Sequence, residues 1–249
     1  MKTREDYLKN KPFIISGPCS ISSRKQIWGI AKTVKDAGAH ALRAQLWKPR
    51  TNPDSFQGVG SKGLRWVKEI KSKIGIPVAM EVMSIEHVEI VDKVSDIFWI
   101  GARNMQNFEL LKKVGKKDKP VLLKNGLIAT LNEWISAAEY IGKDKVILCE
   151  RGIRTGADSM RFTLDLNSAL AAKYDLNMPV IVDPSHTAGR RDMVPYLSYA
   201  AIAAGLDGLV IEAHTNPEEE LVDRDQTIDI ETLLKIIKRI KEIYEIFDN

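Results

Sequence analysis

The sequence predicts an α/β protein folded as a single (β/α)8 TIM barrel, and three observations carry that prediction. Eight short β-branched or apolar runs recur along 249 residues, at about 31 residues per repeat, a fair length for strand, loop, helix and loop. Each run leads into polar or glycine-bearing residues and then an amphipathic stretch, and such alternation implies a parallel sheet. The length suits the roughly 250 residues of a closed eightfold barrel, and no dinucleotide-type glycine fingerprint follows the first run to suggest an open doubly wound sheet. No linker, low-complexity tract or composition break marks a second domain. One barrel over residues 1–249, with no added regulatory domain, is expected.

Taken in order, the predicted strands are 12–16, 41–44, 76–82, 97–101, 120–124, 145–150, 179–183 and 208–213. Helices fill the intervals. Ser23 and Gln26 stand at capping-box spacing after the first strand, as do Thr130 and Glu133 after the fifth. The segment Asn104-Met-Gln-Asn-Phe-Glu-Leu-Leu111 carries an asparagine cap. The last helix, 231–247, sets Leu233, Leu234, Ile236, Ile237, Ile240, Ile243, Tyr244 and Phe247 near a helical period, with lysines opposite.

Composition excludes several classes of function. Apolar residues make up 44% and charged residues 28%, a globular balance. The net charge of +4 is mild and evenly spread, so neither nucleic acid nor a membrane is the expected partner. Two cysteines make no disulfide framework, no signal-like stretch follows Met1, and no apolar run approaches the roughly 18 residues of a membrane span. A cytoplasmic protein is expected.

In such a barrel the active-site groups sit at the C-terminal ends of the strands. The polar residues of this chain gather there. The first strand ends Ser16-Gly-Pro-Cys-Ser20, and the second passes through Arg43 into Lys48-Pro-Arg-Thr51. The third ends at Glu81, the fourth at Gly101-Ala-Arg103 and the fifth at Lys124. The sixth ends Cys149-Glu-Arg-Gly152, the seventh Asp183-Pro-Ser-His186, and the eighth Glu212-Ala-His214 with Asp223 in the loop beyond.

This set sorts into two chemistries. Cys19, His186, Glu212 and Asp223 mix sulfur, nitrogen and oxygen donors, as a divalent transition-metal site does. Each alone has a bland reading, a buried thiol or a solvated carboxylate; the convergence of all four on one rim is the signal. Arg43, Lys48, Arg50, Arg103, Lys124 and Arg151 would face one another around the mouth. Six cations with no anion repel in a partly dry pocket, so an anionic substrate carrying phosphate and carboxylate groups is expected.

The ordered segments Gly17-Pro-Cys-Ser20, Lys48-Pro-Arg-Thr51, Ser55-Phe-Gln-Gly58, Ile100-Gly-Ala-Arg-Asn104, Val121-Leu-Leu-Lys124, Cys149-Glu-Arg-Gly-Ile-Arg-Thr155 and Asp183-Pro-Ser-His186 resemble the 3-deoxy-D-arabino-heptulosonate 7-phosphate (DAHP) synthase family. The compact microbial subclass is the better match, over about residues 13–227. The resemblance implies a metal-dependent barrel that condenses phosphoenolpyruvate with D-erythrose 4-phosphate, giving DAHP and phosphate. That is the first step of the shikimate pathway to aromatic amino acids. It implies one divalent ion (Mn, Fe, Co, Zn or similar) on Cys19, His186, Glu212 and Asp223. Phosphoenolpyruvate contacts fall on Arg43, Lys48, Glu81, Ala102, Arg103, Lys124 and Arg151, with His186 nearby, and aldose-phosphate contacts on Lys48, Pro49, Arg50, Thr51 and Asp223. Lys48, Glu81, His186 and Cys19 are the expected catalytic residues, and a homodimer or homotetramer the expected assembly. Two rivals stand beside it: the sister 3-deoxy-D-manno-octulosonate 8-phosphate synthase, which uses D-arabinose 5-phosphate, and a catalytically silent barrel that binds phosphometabolites and regulates a partner. Departures from the pattern are Ala44-Gln-Leu-Trp47, where small and glycine-rich residues are usual, Asn125 after the strand-five lysine, His214-Thr-Asn-Pro217, and Arg224 after the last ligand. They bear on sugar specificity and on the last loop.

Other residues keep plainer readings. Cys149 is expected in the barrel interior, His40 and His87 away from the rim, and Trp28, Trp66, Trp99 and Trp134 in packing. Trp47 sits in the contact loop. His214 is balanced between site and scaffold, and Asp183 between orienting a ligand and capping its loop.

Overall fold

The structure, a computed structural model, describes residues 2–247; the Phe247 side chain, assigned above to the last helix's apolar face, lies outside the described residues. Eight parallel strands close in sequence order: β1 (Phe13–Gly17), β2 (Ala41–Arg43), β3 (Val78–Glu81), β4 (Ile97–Ile100), β5 (Val121–Lys124), β6 (Val146–Glu150), β7 (Val180–Val182) and β8 (Gly208–Glu212). The strands are fully buried and read as continuous apolar runs because both their faces are covered. Alternate side chains go to opposite faces. Phe13, Ile15, Trp99, Leu122, Ile147, Ile181 and Val210 belong to one apolar cluster inside the barrel. Ile14, Leu42, Met80, Phe98, Ile100, Leu123 and Leu209 belong to a second cluster, packed against the helices.

Closure depends on β1 and β8, paired from Phe13↔Gly208 to Gly17↔Glu212. A Cβ at Gly208 would stand 2.0 Å from the Phe13 carbonyl oxygen, so only glycine lets the seam close. Helices follow every strand, among them Arg24–Asp36, Phe108–Gly115, Leu131–Ile141 and Ile230–Phe247. Thr130 and Glu133 form a full capping box. The box at Ser23 is offset: its hydroxyl accepts from Gln26 N at 3.1 Å, but the Gln26 side chain accepts from Ser22 N instead. In the 104–111 segment the cap is Asn107, whose Oδ1 accepts from Leu110 N. The last helix buries Leu233, Ile236, Ile237 and Ile240, while Leu234 is exposed, a correction to the predicted stripe. Two short helices have no periodicity to announce them. Arg4–Leu8 sets Tyr7 against Phe13, ring centroids 5.9 Å apart, with the interior apolar cluster. Pro184–Ala188 carries His186. No helix among the described residues is long and apolar enough to cross a membrane.

Candidate active site

Three of the strand ends bring one set of four donors together. Cys19 follows β1, His186 stands on the short helix after β7, Glu212 ends β8, and Asp223 lies in the loop beyond. One ligand atom from each lies within 4.8 Å of all the others. His186 Nε2 is 3.6 Å from both Glu212 Oε1 and Asp223 Oδ2, and Cys19 Sγ donates to Asp223 Oδ2 at 3.4 Å. Glu212 Oε1 is buried without a hydrogen-bond partner; Arg43 Nη2 stands 2.8 Å away, an ion contact out of line for a hydrogen bond. A thiol, an imidazole and two carboxylates with an orphaned oxygen fit a divalent ion. Burial holds His186 down to about 4, so its imidazole is neutral. Burial, aided by the Glu212 charge, pushes the Cys19 thiol well up. Asp223 adopts a left-handed backbone (φ 55°), tolerated by aspartate and a mark of a constrained position.

Asp183 caps its short helix and also faces the imidazole of His186. Its Oδ1 accepts from His186 N at 2.9 Å, capping the short helix, and its Oδ2 lies 2.8 Å from His186 Nδ1 and also pairs with Lys124. That carboxylate favours the imidazole proton on Nδ1, with Nε2 left toward the other donors, although the Lys124 ammonium also stands 3.5 Å from Nδ1.

Beside this cluster opens a cleft of about 460 Å³, lined by Arg43, Lys48, Pro49, Arg50, Thr51, Glu81, Ala102, Arg103, Lys124, Arg151, His186 and Asp223. Every residue predicted to contact substrate is therefore on one wall or another. The expected ring of cations without anions needs correction, because Arg43 pairs with Glu212 and Lys124 with Asp183. Among the described residues no ion pair of 4 Å or less holds Lys48, Arg50, Arg103 or Arg151. Burial alone would depress the Lys48 ammonium, but Cys19 and Glu81 beside it keep its pKa raised, so it stays protonated. Gly101 makes room for the Glu81 carboxylate, since a Cβ there would stand 2.1 Å from Oε1.

Other residues of the site escaped the sequence reading. Trp99, read as packing, lines the cleft with Lys124 and Arg43 over its ring at 4.7 and 5.2 Å. Arg154, Arg161 and Phe162, from the loop after β6, line it as well. Arg161 binds Asp223 Oδ1 at 3.2 Å and Gln226 Oε1 at 2.8 Å, and Gln226 Nε2 donates to Glu212 Oε2 at 2.6 Å. Glu220, buried and raised to about 7 by burial and by Glu212, accepts from Cys19 N at 3.2 Å. For Arg154, Arg161 and Glu220 the only advance signal is charge in a long loop, which usually means solvent. His87, placed away from the rim, packs on Trp47 at 4.3 Å and so reaches the contact loop. His40 accepts from Ile14 N, a structural role. His214 accepts from Asn216 N and stands outside the donor cluster. Cys149 is buried in the barrel interior.

Comparison with known proteins agrees with this geometry. The model of the DAHP synthetase I family matches residues 8–247. The chain belongs to that family. Phospho-2-dehydro-3-deoxyheptonate aldolase of Thermotoga maritima is 43% identical over 92% of this chain and 69% of its own length. A crystal structure of the T. maritima DAHP synthase superposes with a TM-score of 0.90 at 42% identity, covering 94% of this chain and 70% of that one. A truncated form of the same enzyme gives 0.87 at 40% identity, covering 94% and 87%. A 2-dehydro-3-deoxyphosphooctonate aldolase of Geobacter sulfurreducens is 28% identical over 92% of this chain and 91% of its own length. This DAHP synthetase family member is thus nearer in sequence to the heptonate relative than to that octonate one.

Proposed function

We propose that this chain condenses phosphoenolpyruvate with D-erythrose 4-phosphate to DAHP and phosphate, with one divalent ion held by Cys19, His186, Glu212 and Asp223. The observation that carries the reading is the meeting, at one barrel rim, of that donor set with a cleft in which Lys48, Arg50, Arg103 and Arg151 have no carboxylate partner within 4 Å among the described residues. Family membership and 43% identity to a heptonate aldolase support it over the octonate alternative. An intact donor set supports it over a silent barrel.

When bound, the ion supplies Lewis acidity toward the aldehyde oxygen of the aldose phosphate. The chain's own groups do the rest. Arg103, Lys124 and Arg151 hold the phosphate and carboxylate of phosphoenolpyruvate, with Arg43 and Ala102 beside them. Arg50 and Thr51, fixed behind Pro49, hold the aldose phosphate through a guanidinium fork and a hydroxyl. Holding both substrates removes the entropic part of the barrier to carbon–carbon bond formation between the enol carbon and the aldehyde carbon. Lys48, protonated in its pocket, gives its proton to the oxygen that was the aldehyde's. Glu81 takes a proton from the water that adds at the neighbouring carbon, after which phosphate leaves by carbon–oxygen cleavage. The single barrel is the catalytic unit in this reading, a homodimer or homotetramer is its assembly and the cytoplasm its place. Which of Mn, Fe, Co or Zn serves is set by supply as much as by ligands.

The test is turnover of phosphoenolpyruvate with erythrose 4-phosphate by metal-loaded protein, followed by phosphate release. The expected result is product DAHP at a kcat/KM at least about tenfold above that for arabinose 5-phosphate. A preference for arabinose 5-phosphate overturns the sugar assignment, and no turnover with either overturns the reaction. Light scattering tests the assembly, a monomer at micromolar concentration being the refuting result.

A further inference from the structure

Among the cations of the cleft, Arg151 stands apart in how it is held. Arg43 and Lys124 each have a carboxylate, but Arg151 is 5% exposed, its Nη1 is buried without a partner, and no carboxylate reaches it within 4 Å. What does meet it is the ring of Phe162, with the guanidinium carbon 4.2 Å from the ring centroid. Phe162 is itself fixed on several sides. Its backbone N donates to Thr187 O at 3.0 Å, next to His186. An antiparallel bridge joins Ile153 to Thr163. Gly152, with φ of 87°, lets Phe162 come so close that a Cβ there would stand 2.5 Å from the Phe162 Cβ. The neighbouring Arg161 is tied to Asp223 and Gln226. The loop after β6 thus presses the Phe162 ring against the buried Arg151 guanidinium, with that of Arg161 farther off at 5.6 Å from the ring centroid.

We propose that Phe162 is a positioning residue for phosphoenolpyruvate, a platform that orients the Arg151 guanidinium toward the anion without neutralising it. A carboxylate in that place would also fix the side chain, but it would compete with the substrate for the charge. An aromatic face attracts the cation through its quadrupole and leaves the N–H fork free to bind phosphate or carboxylate. The platform rests on the reading that Arg151 belongs to the phosphoenolpyruvate site.

The experiment compares wild type with F162L, which keeps apolar bulk but loses the π face, and F162W, which restores it. Dissociation constants for phosphoenolpyruvate are measured by calorimetry on manganese-loaded protein, together with KM for both substrates and manganese content. F162L is expected to bind phosphoenolpyruvate about tenfold more weakly, with manganese content, KM for erythrose 4-phosphate and melting temperature near wild type. F162W is expected to recover to within about threefold. Equal binding by folded F162L and wild type overturns the proposal, and so does an F162W as weak as F162L, because the ring's shape rather than its face would then matter. Inorganic phosphate serves as a second probe. A wild type that fails to bind phosphoenolpyruvate overturns the reaction assigned above, whereas the platform is then judged on the ratio of F162L to wild type for phosphate.

Discussion

Asp183→Asn isolates one buried charge with little change of shape. Asp183 is fully buried. It accepts from the backbone of His186 at 2.9 Å, faces His186 Nδ1 at 2.8 Å and pairs with Lys124. Asparagine keeps the capping oxygen and loses the rest. Its amide N–H would turn toward His186 Nδ1, driving the imidazole proton to Nε2, the atom that faces Glu212 and Asp223 at 3.6 Å. A protonated Nε2 cannot ligate a metal. The mutant must either rotate the ring or spend energy returning the proton. Loss of such an orienting carboxylate costs about 10- to 100-fold in metal affinity. Lys124 is left with its ammonium buried and unpaired, and breaking a pair this deep costs about 3–5 kcal/mol of stability. The assays are equilibrium dialysis against manganese or zinc and a urea melt of the metal-free protein. A folded D183N that binds metal within twofold of wild type would show that Asp183 only caps its helix.

Four further outcomes follow from the geometry. Cys19→Ala or chelation should abolish turnover while leaving the barrel folded, as circular dichroism would show. Because burial raises the Cys19 pKa, the metal-free thiol is protonated at neutral pH and an entering ion must displace that proton; affinity should therefore fall by about tenfold per unit as pH is lowered, and a pH-independent affinity would refute a thiolate ligand. Gly208→Ala forces a Cβ to 2.0 Å from the Phe13 carbonyl at the barrel seam and should cost at least about 2–3 kcal/mol in a denaturant melt. Arg50→Ala should raise KM for erythrose 4-phosphate far more than for phosphoenolpyruvate, and an equal rise in both would place Arg50 elsewhere.

The barrel was legible because its physics is repetitive. Strands covered on both faces read as apolar runs, and their ends deliver polar groups to one rim. What stayed hidden needed the third dimension. The run Ile97-Phe-Trp-Ile100 announces a strand but not which of its aromatics points inward, so Trp99 looked like packing while it stands under Lys124 and Arg43. Phe162, Arg161 and Glu220 sit in irregular loops where no period exists to flag them. His87 meets Trp47 only because the loop after β2 returns across the helix that follows β3 (Ile85–Asp92). Leu234 fits the stripe by spacing, yet the helix turns it outward. Spacing gives an angle, and the neighbours decide what covers it.

The correction to the cation ring sharpens the argument for an anionic substrate. Charge counting along the chain finds six cations and treats them alike, but pairing across the barrel divides them. The two with anions are tied to the donor cluster itself, Arg43 to Glu212 and Lys124 to Asp183 behind His186. Their charge helps keep buried carboxylates ionised in a place where desolvation opposes it. The four without anions line the cleft beside the paired two, and among the described residues no carboxylate within 4 Å neutralises them. A buried guanidinium without a carboxylate is tolerable over an aromatic face, which is the arrangement of Arg151 on Phe162. The donor cluster and the cationic wall are therefore one electrostatic construction, with its acids and bases matched on one side and a surplus of positive charge left open on the other.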